Sequence, residues 1–381
     1  MRFATMAKPV GSYCNMSCSY CYYLHADSGQ DMHTLRMSDE VLEAYIRSYM
    51  EASSEKEISF TWHGGEPTLA GIPFFEKALS LQKKYLPEGR YCVNAIQTNG
   101  LLIDDAWCRF LKNNRFEIGL SIDGTRMIHD LYRNDAGGSD TYDRVRSALY
   151  CFEKHGIRPD LLCTVTAETA ASGRSVYQTL RKYHTGWIQF IPIVRRDDEG
   201  NVTADSVTPQ AYGRFLKSVF QEWITHDLGK MNVQLFAETA LLLSGKTSNV
   251  CWLSETCGNI LIVEKDGSVF ACDHFVDRDH RLGNLMETPL REMAASSFQK
   301  EFGQAKKNLT QECQKCPWLF LCHGCCPKDR FVIREDGIGQ YYLCEGLKMY
   351  YEDAVPKLRK AMEFSAQGRS QSEIMKYFRQ K

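Results

Sequence analysis

Three cysteines close to the N-terminus have the type and spacing that suit an iron–sulfur cluster. Cys14, Cys18 and Cys21 follow the pattern C-x3-C-x2-C on one short segment. Three thiolates on one loop can bind three corners of a four-iron cluster and leave the fourth iron open to a small ligand. A zinc knuckle is the alternative interpretation, but zinc needs a fourth ligand close by and His33 lies far along the following loop. The spacing therefore favours an open cluster.

A second group of nine cysteines lies between residues 251 and 344. It contains the pattern C-x2-C-x5-C-x3-C from Cys313 onward and enough thiols for two fully ligated four-iron clusters. Two structural zinc sites are the alternative, because C-x2-C pairs are common zinc ligands. The adjacent Cys325 and Cys326 leave one ligand ambiguous. The four isolated cysteines are interpreted as small buried hydrophobic residues: Cys92, Cys108, Cys151 and Cys163.

The bulk composition is that of an ordinary globular protein. The 381 residues are 44% hydrophobic and 24% charged, with a formal net charge of −1. Such a charge creates no field that would attract nucleic acid or an anionic membrane, and no apolar run is long enough to span one. The first eight residues lack the apolar core of a signal peptide. We therefore expect a cytoplasmic monomer with no nucleic-acid or membrane partner, in which grouped cysteines bind metal.

An alternation of strand and helix patterns must position these cysteines. The sequence predicts strands at residues 8–12, 58–62, 91–97, 116–122, 161–165 and 187–194, with helices between them. About six βα units predict an α/β fold with a parallel sheet, open or curled into a partial barrel, and functional groups at the C-terminal strand ends. After residue 234 this rhythm is lost, and a hairpin at 260–269 and a helix at 345–364 follow. We expect a partial barrel at 1–234, a cysteine-rich domain at 235–350 and a helical tail at 351–381.

The first cysteine motif, with Tyr20 before its third cysteine, resembles the radical S-adenosylmethionine (SAM) superfamily. The resemblance implies a partial (β/α)6 TIM-like barrel and a cluster that cleaves SAM to a 5′-deoxyadenosyl radical. The segments 63–69, 97–100 and 119–124 follow predicted strands and resemble the family's cofactor-binding segments. Without the resemblance, Ser121 and Arg133 would be interpreted as surface residues and Val194 as a core residue. The resemblance implies that SAM contacts Tyr20, Gly65, Ser121, Arg133 and Val194.

The second cysteine group resembles the C-terminal extension called a SPASM domain. The resemblance implies a first auxiliary cluster on Cys251, Cys257, Cys272 and Cys326. It implies a second on Cys313, Cys316, Cys322 and Cys344, which leaves Cys325 spare and gives three [4Fe–4S] clusters in all. A fully ligated cluster cannot bind substrate through iron, but it can accept or relay an electron. We therefore expect the reaction to be an oxidation.

The segments around Cys272 and Cys322, with Cys21-Tyr22-Tyr23, resemble the anaerobic sulfatase-maturating enzymes from residue 8 to about 350. The pair Cys325-Cys326 departs from the Gly-Cys common in that family. The resemblance implies that a cysteine or serine of an unfolded or nascent sulfatase is oxidised to Cα-formylglycine after loss of a Cβ hydrogen. It further implies an external reductant such as flavodoxin or ferredoxin. It identifies Asp273 as the general base, which could otherwise be a solvated turn residue, and Tyr23 and His63 as substrate contacts. Burial near a cluster is expected to raise the pKa of Asp273.

Two other functions remain open from the sequence. A radical maturase that makes thioether or carbon–carbon crosslinks in a ribosomal peptide would share the barrel and the SPASM domain. Such a reaction need not use a base like Asp273, and the motif at Cys14 leaves no room for a preceding leader-binding domain. A zinc-stabilised binding module would hold zinc rather than iron, and it would leave the βα half without a purpose.

Overall fold

The computed structural model describes residues 3–24, 35–183 and 185–380. In this part of the chain the strands are, in order, β1 (Ala4–Ala7), β2 (Glu57–Trp62), β3 (Tyr91–Thr98), β4 (Glu117–Ser121), β5 (Asp160–Val165), β6 (Trp187–Pro192), β7 (Asn232–Val233), β8 (Ile260–Val263), β9 (Ser268–Phe270), β10 (Arg281–Asn284), β11 (Val332–Ile333) and β12 (Gly339–Gln340).

The α-helices of the described residues alternate with the first six strands and dominate the C-terminal third. They are α1 (Asp39–Ala52), α2 (Ile72–Tyr85), α3 (Asp105–Asn113), α4 (Arg126–Tyr132), α5 (Tyr142–Lys154), α6 (Ala167–Ala171), α7 (Gly173–Leu180), α8 (Pro209–His226), α9 (Gln234–Leu243), α10 (Leu290–Ala295), α11 (Ser297–Ala305), α12 (Gln311–Gln314), α13 (Leu319–Cys322), α14 (Cys344–Ala366) and α15 (Gln371–Arg379). None of the described helices is long and apolar enough to cross a membrane.

The chain divides into two compact units, each assembled from separated segments. The first unit contains the described residues up to Ser121, then Tyr132–Pro159 and Thr256–Ala305. The second contains Ile122–Leu131, Asp160–Glu255 and the residues from Lys306 onward. The predicted domain boundaries at residues 234 and 350 stay a prediction.

In the first unit, strands β1 to β4 are parallel neighbours in sequential order. Strand β2 has the expected period of two, because Ile58, Phe60 and Trp62 are fully buried while the alternate residues are exposed or half-buried. The hairpin of β8 and β9 is antiparallel, as the turn signal predicts, and β8 also pairs in parallel with β1. That second pairing joins the cysteine-rich half of the chain to the edge of the parallel strands.

In the second unit, β5, β6 and β7 are parallel, and α8 packs closely against α14. The close approach depends on Gly346, where a Cβ atom would lie 2.3 Å from the carbonyl oxygen of Pro209. Helix α14 begins at Cys344 and continues through Pro356. The parallel strands and intervening helices of both units confirm the predicted α/β class.

Two expectations from the sequence are wrong in detail. The first strand is Ala4–Ala7 rather than residues 8–12, because Pro9 and Gly11, which has φ +59°, turn the chain directly after Lys8. Of the four isolated cysteines, Cys108 and Cys163 are buried as expected, whereas Cys92 and Cys151 are partly exposed.

Candidate active site

The three N-terminal cysteines lie on a loop, here called the cysteine loop (residues 14–21), which a neighbouring backbone segment holds in place. The amide of Ser17 donates to the carbonyl oxygen of Asn134 (2.9 Å), and the amide of Ser19 donates to that of Tyr132 (3.1 Å). Hydrogen bonds to backbone fix the path of the loop without consuming any thiol. The backbone of the loop is therefore anchored to residues 132 and 134.

The Gly-Gly-Glu segment after β2 holds the residues that lead into this loop. The amides of Gly65 and Glu66 donate to the carbonyl oxygens of Gly11 (2.8 Å) and Tyr13 (3.0 Å). A Cβ atom on Gly65 would lie only 2.0 Å from the Tyr13 oxygen, so no larger residue fits. Besides any contact with a cofactor, Gly65 thus permits the close approach that positions the cysteine loop.

Glu66 is a fully buried carboxylate that joins the segment after β2 to the end of β3, which no local sequence pattern indicates. It accepts hydrogen bonds from the amide and hydroxyl of Thr68, the hydroxyl of Thr98 and the amide of Asn99. Burial raises the pKa of Glu66, and these hydrogen bonds oppose that rise. Asn99 in turn donates from Nδ2 toward the Cys14 sulfur at 3.6 Å, which links the end of β3 to the cluster loop.

Several residues predicted to contact SAM lie in the first unit with the cysteine loop. The guanidinium of Arg133 lies over the ring of Tyr20, 5.5 Å from its centroid, and both residues are buried. Ser121 ends β4 and is buried. Val194 belongs to the second unit, where its carbonyl oxygen accepts a hydrogen bond from Lys328 (3.3 Å). The structure thus brings Arg133 and Tyr20 together.

Asp273, the predicted base, forms an ion pair with a fully buried lysine. Its Oδ1 atom lies 2.5 Å from Nζ of Lys8, and its Oδ2 atom accepts a hydrogen bond from the hydroxyl of Tyr22. Burial raises the pKa of Asp273, but the charge of Lys8 outweighs this effect and holds that pKa well below its ordinary range. The expectation of a raised pKa is therefore wrong, because the sequence does not reveal the pairing with Lys8.

Tyr22 connects the two cysteine segments of the first unit. It follows Cys21 directly, and its hydrogen-bond partner Asp273 follows Cys272. Desolvation and then the Asp273 carboxylate raise the pKa of Tyr22 well above its ordinary value, with smaller contributions from both cysteines. The tyrosine therefore stays protonated and donates to the carboxylate. No local sequence pattern indicates this hydrogen bond to Asp273.

The two predicted substrate contacts differ in how they are held. Tyr23 is buried, donates to Glu264, and has Nζ of Lys8 3.4 Å from its ring centroid. Nδ1 of His63 is buried and has no hydrogen-bond partner among the described residues. Burial lowers the pKa of His63 to about 4, so its imidazole is neutral at neutral pH. An unpaired buried nitrogen of this kind is suited to a ligand's polar group.

The predicted ligands of the second auxiliary cluster meet in the second unit. Cys313, Cys316, Cys322 and Cys344 line one cavity, together with Cys325. A hydrogen bond from Cys325 lowers the pKa of Cys322 to about 7, against the effect of burial. Cys325, whose role the sequence left open, therefore acts as a thiol donor to a neighbouring sulfur.

The predicted ligands of the first auxiliary cluster are divided between the units, Cys257 and Cys272 in the first and Cys251 and Cys326 in the second. Burial raises the pKa of Cys326 to about 11, and nearby Cys251 adds to the rise. The complete set of four ligands stays a prediction.

The spacing of the grouped thiols within each unit decides between a cluster and a single zinc ion. The ligand atoms of one zinc ion lie close to one another, because each Zn–S bond is only about 2.3 Å long. Among the described residues, neither the cysteine loop nor the cavity cysteines bring three such atoms within 4.8 Å of one another. These thiols are available and too widely spaced for one ion, which fits a larger iron–sulfur cluster. His33, the zinc alternative's fourth ligand, lies outside the described residues.

Comparison with known proteins defines the class of this site. Residues 9–170 match the family model of the radical SAM superfamily, and residues 251–317 match that of the SPASM iron-sulfur cluster-binding domain. The chain therefore contains the two domains that the resemblance implies, and with them [4Fe–4S] clusters and SAM as cofactors.

Full-length relatives then identify the family. The chain is 37% identical to a serine-type anaerobic sulfatase-maturating enzyme of Bacteroides thetaiotaomicron, covering 92% of this chain and 89% of that one. It is 35% identical to a cysteine-type enzyme of Clostridium perfringens, covering 93% and 96%. This chain belongs to the anaerobic sulfatase-maturating enzymes.

Solved structures agree with this assignment. Native anSMEcpe with bound AdoMet matches with a TM-score of 0.86 at 34% identity, covering 94% of this chain and 98% of that one. The same protein has been solved with AdoMet and the Cp18Cys peptide, with the same TM-score. SuiB of Streptococcus suis bound to its precursor peptide SuiA matches at 15% identity with a TM-score of 0.66, which supports the shared fold alone.

Proposed function

We propose that this enzyme oxidises one cysteine or serine of a sulfatase polypeptide to Cα-formylglycine. The observation that carries the proposal is the carboxylate of Asp273, held by Lys8 and Tyr22 in the same unit as the cysteine loop. The substrate loses a Cβ hydrogen atom, a side-chain proton and one electron, which together make a two-electron oxidation. A thioaldehyde formed from cysteine then hydrolyses to the aldehyde.

The cofactors supply the radical and the electron acceptor. When bound to Cys14, Cys18 and Cys21, the cluster and SAM supply the 5′-deoxyadenosyl radical, and the auxiliary clusters supply an acceptor for the electron. Tyr20, Gly65, Ser121, Arg133 and Val194 are the proposed SAM contacts. Arg133 is suited to a carboxylate, because its guanidinium is always charged and donates in a planar fork.

Asp273 is the proposed acceptor of the substrate's thiol or hydroxyl proton. It remains ionised because Lys8 and Tyr22 stabilise its negative charge, and only the ionised form can accept a proton. Each carboxylate oxygen has two lone-pair directions, so the contacts with Lys8 and Tyr22 leave capacity for the substrate. His63 offers its buried Nδ1 to a polar group of the substrate peptide, and Tyr23 is the second proposed substrate contact.

The partner is an unfolded or nascent sulfatase, since a folded one would enclose the residue to be modified. A one-electron donor such as flavodoxin or ferredoxin reduces the cluster of the cysteine loop. We propose a cytoplasmic monomer that acts before its substrate folds. Serine-type and cysteine-type relatives align with 92% and 93% of this chain, so serine and cysteine peptides are both candidate substrates.

Replacement of Asp273 by Asn tests the proposal. The reconstituted enzyme, with reductant, SAM and a peptide containing Cys-x-Pro-x-Arg or its serine counterpart, is expected to yield formylglycine by mass spectrometry. In Asp273→Asn the formylglycine rate should fall about 10²–10⁴-fold, the range for loss of a general base. Release of 5′-deoxyadenosine should persist, since this residue is not needed to cleave SAM.

Asp266→Asn is the matched control, because Asp266 lies in the turn between β8 and β9 and its carboxylate accepts hydrogen bonds from the amide and hydroxyl of Ser268. It should keep the full rate. Equal formylglycine rates in Asp273→Asn and Asp266→Asn would remove the base from the mechanism. A crosslinked peptide in place of formylglycine would show that the enzyme acts as a crosslinking peptide maturase instead.

A further inference from the structure

We propose that Asp105, Cys108, Cys151 and His155 form a binding site for a single zinc ion that fastens helix α3 to helix α5. These residues belong to neither the cysteine loop nor the second cysteine group. Asp105 and Cys108 are three residues apart on α3, while Cys151 and His155 are four apart at the end of α5. Both spacings place side chains on one face of a helix. Two helices thus each present two potential ligands to the same point.

Three of the four side chains, Cys108, Cys151 and His155, bring their ligand atoms into one compact group, and an oxygen of Asp105 adjoins two of them. The two sulfur atoms are 3.3 Å apart, Cys151 Sγ is 3.8 Å from Asp105 Oδ1, and that oxygen is 2.6 Å from His155 Nε2. Within the described residues, Cys108, Cys151 and His155 are the group whose ligand atoms all lie within 4.8 Å of one another. With Zn–S bonds of about 2.3 Å, tetrahedral sulfurs stand about 3.8 Å apart, so the site needs to open only slightly.

The ligand types favour zinc over other ions. Two thiolates and an imidazole are soft and borderline ligands, which suit zinc and exclude calcium or magnesium. The charge is also balanced, because Lys154 contacts both oxygens of Asp105 (2.9 and 3.0 Å) and offsets part of the ligands' negative charge. Cys108 is fully buried and the side chain of Asp105 is about half exposed, so zinc has a path of entry from solvent.

A disulfide between Cys108 and Cys151 is the competing explanation for the close sulfurs. Their separation of 3.3 Å is far longer than a disulfide bond of about 2.05 Å. A disulfide also gives no reason for Asp105 and His155 to converge on the same two sulfurs. The four-residue convergence therefore supports a metal site that stabilises the outer helices.

Zinc binding to the reconstituted holoenzyme tests this inference. Protein given one equivalent of Zn²⁺ and then desalted should retain about one zinc per chain, and its zinc-edge X-ray absorption should indicate two sulfur and two nitrogen or oxygen neighbours. Cys151→Ala and His155→Gln should each weaken zinc binding at least about tenfold, with iron content and 5′-deoxyadenosine release unchanged. Cys92→Ala, at another partly exposed isolated cysteine, should bind zinc like the wild type.

Each opposing result is distinct. Wild-type protein without zinc, or zinc surrounded by four sulfurs, would overturn the inference, as would equal zinc binding in Cys151→Ala and Cys92→Ala. A Cys108–Cys151 disulfide, detected as two unalkylated cysteines after anaerobic denaturation, would replace the metal site with a covalent link. None of these results depends on formylglycine formation, so this inference and the proposed function can fail separately.

Discussion

The two groups of cysteines differ in how the chain brings them together. In the cysteine loop, three thiols lie within eight residues of sequence, and backbone hydrogen bonds hold the loop in place. In the cavity of the second unit, the four predicted thiol ligands come from α12, α13, α14 and the turn between α12 and α13. Burial raises the pKa of Cys14 to about 12, whereas a hydrogen bond from Cys325 lowers that of Cys322 to about 7. Three thiols would leave one iron of a four-iron cluster without a protein ligand, whereas the four predicted ligands in the cavity would ligate every iron.

This difference in the number of cysteine ligands explains how cysteine thiols can support two kinds of cluster, one that activates a small molecule and one that exchanges electrons. An iron without a protein ligand can bind and activate a small molecule, whereas a fully ligated cluster can only exchange electrons. A partly buried cation reinforces the second site, since Arg330 donates to the carbonyl oxygens of Gly324, His323 and Cys325 and fixes the turn that carries the thiols. Variants of the two regions should therefore fail in different ways.

The largest difference is expected between Cys18→Ala and Cys316→Ala. Each should lose about four of about twelve irons, because each removes one ligand of a four-iron cluster. Cys18→Ala should abolish 5′-deoxyadenosine release, while Cys316→Ala should keep most of it and lose formylglycine. Iron analysis and chromatography of the products measure both. If Cys316→Ala also abolished deoxyadenosine release, the claim that only the cysteine loop is needed to cleave SAM would be wrong.

Gly65→Ala should damage the cysteine loop alone. The added methyl group would lie 2.0 Å from the backbone oxygen of Tyr13, and an overlap of this size costs about 1–3 kcal/mol or more unless the loop moves. We expect partial loss of iron and a several-fold fall in deoxyadenosine release. Gly137→Ala is the control, because its nearest neighbour is the side-chain oxygen of Asp135 at 3.3 Å. Full iron content in Gly65→Ala would contradict the packing argument.

The smallest effect is expected from Cys325→Ala. The variant removes the thiol donor to Cys322 but no predicted ligand, so the iron content should stay at about twelve. The reduction potential of the second auxiliary cluster should shift downward, because loss of a hydrogen bond leaves more negative charge on the sulfur. Electrochemistry of the reconstituted protein measures this shift. Loss of about four irons would instead identify Cys325 as a ligand.

The sequence predicted the elements and the convergence of the cavity cysteines better than it predicted the surroundings of Asp273. Cysteine spacing and the alternating pattern of β2 depend on neighbours along the chain, so local reasoning found them. The pairing of Asp273 with Lys8 joins residues far apart in sequence and depends on β8 pairing with β1, which no local pattern indicates. Glu66 was missed for the same reason, since its partners at Thr98 and Asn99 belong to another strand end.

The most direct test of the account follows the hydrogen atom that the substrate loses. A peptide whose target cysteine carries two deuterium atoms at Cβ is incubated anaerobically with the enzyme, reductant and SAM, and both products are weighed. We predict one deuterium in 5′-deoxyadenosine and one retained in the formylglycine aldehyde. Formylglycine formed without deuterium in 5′-deoxyadenosine, or labelled 5′-deoxyadenosine with a product other than formylglycine, would contradict it.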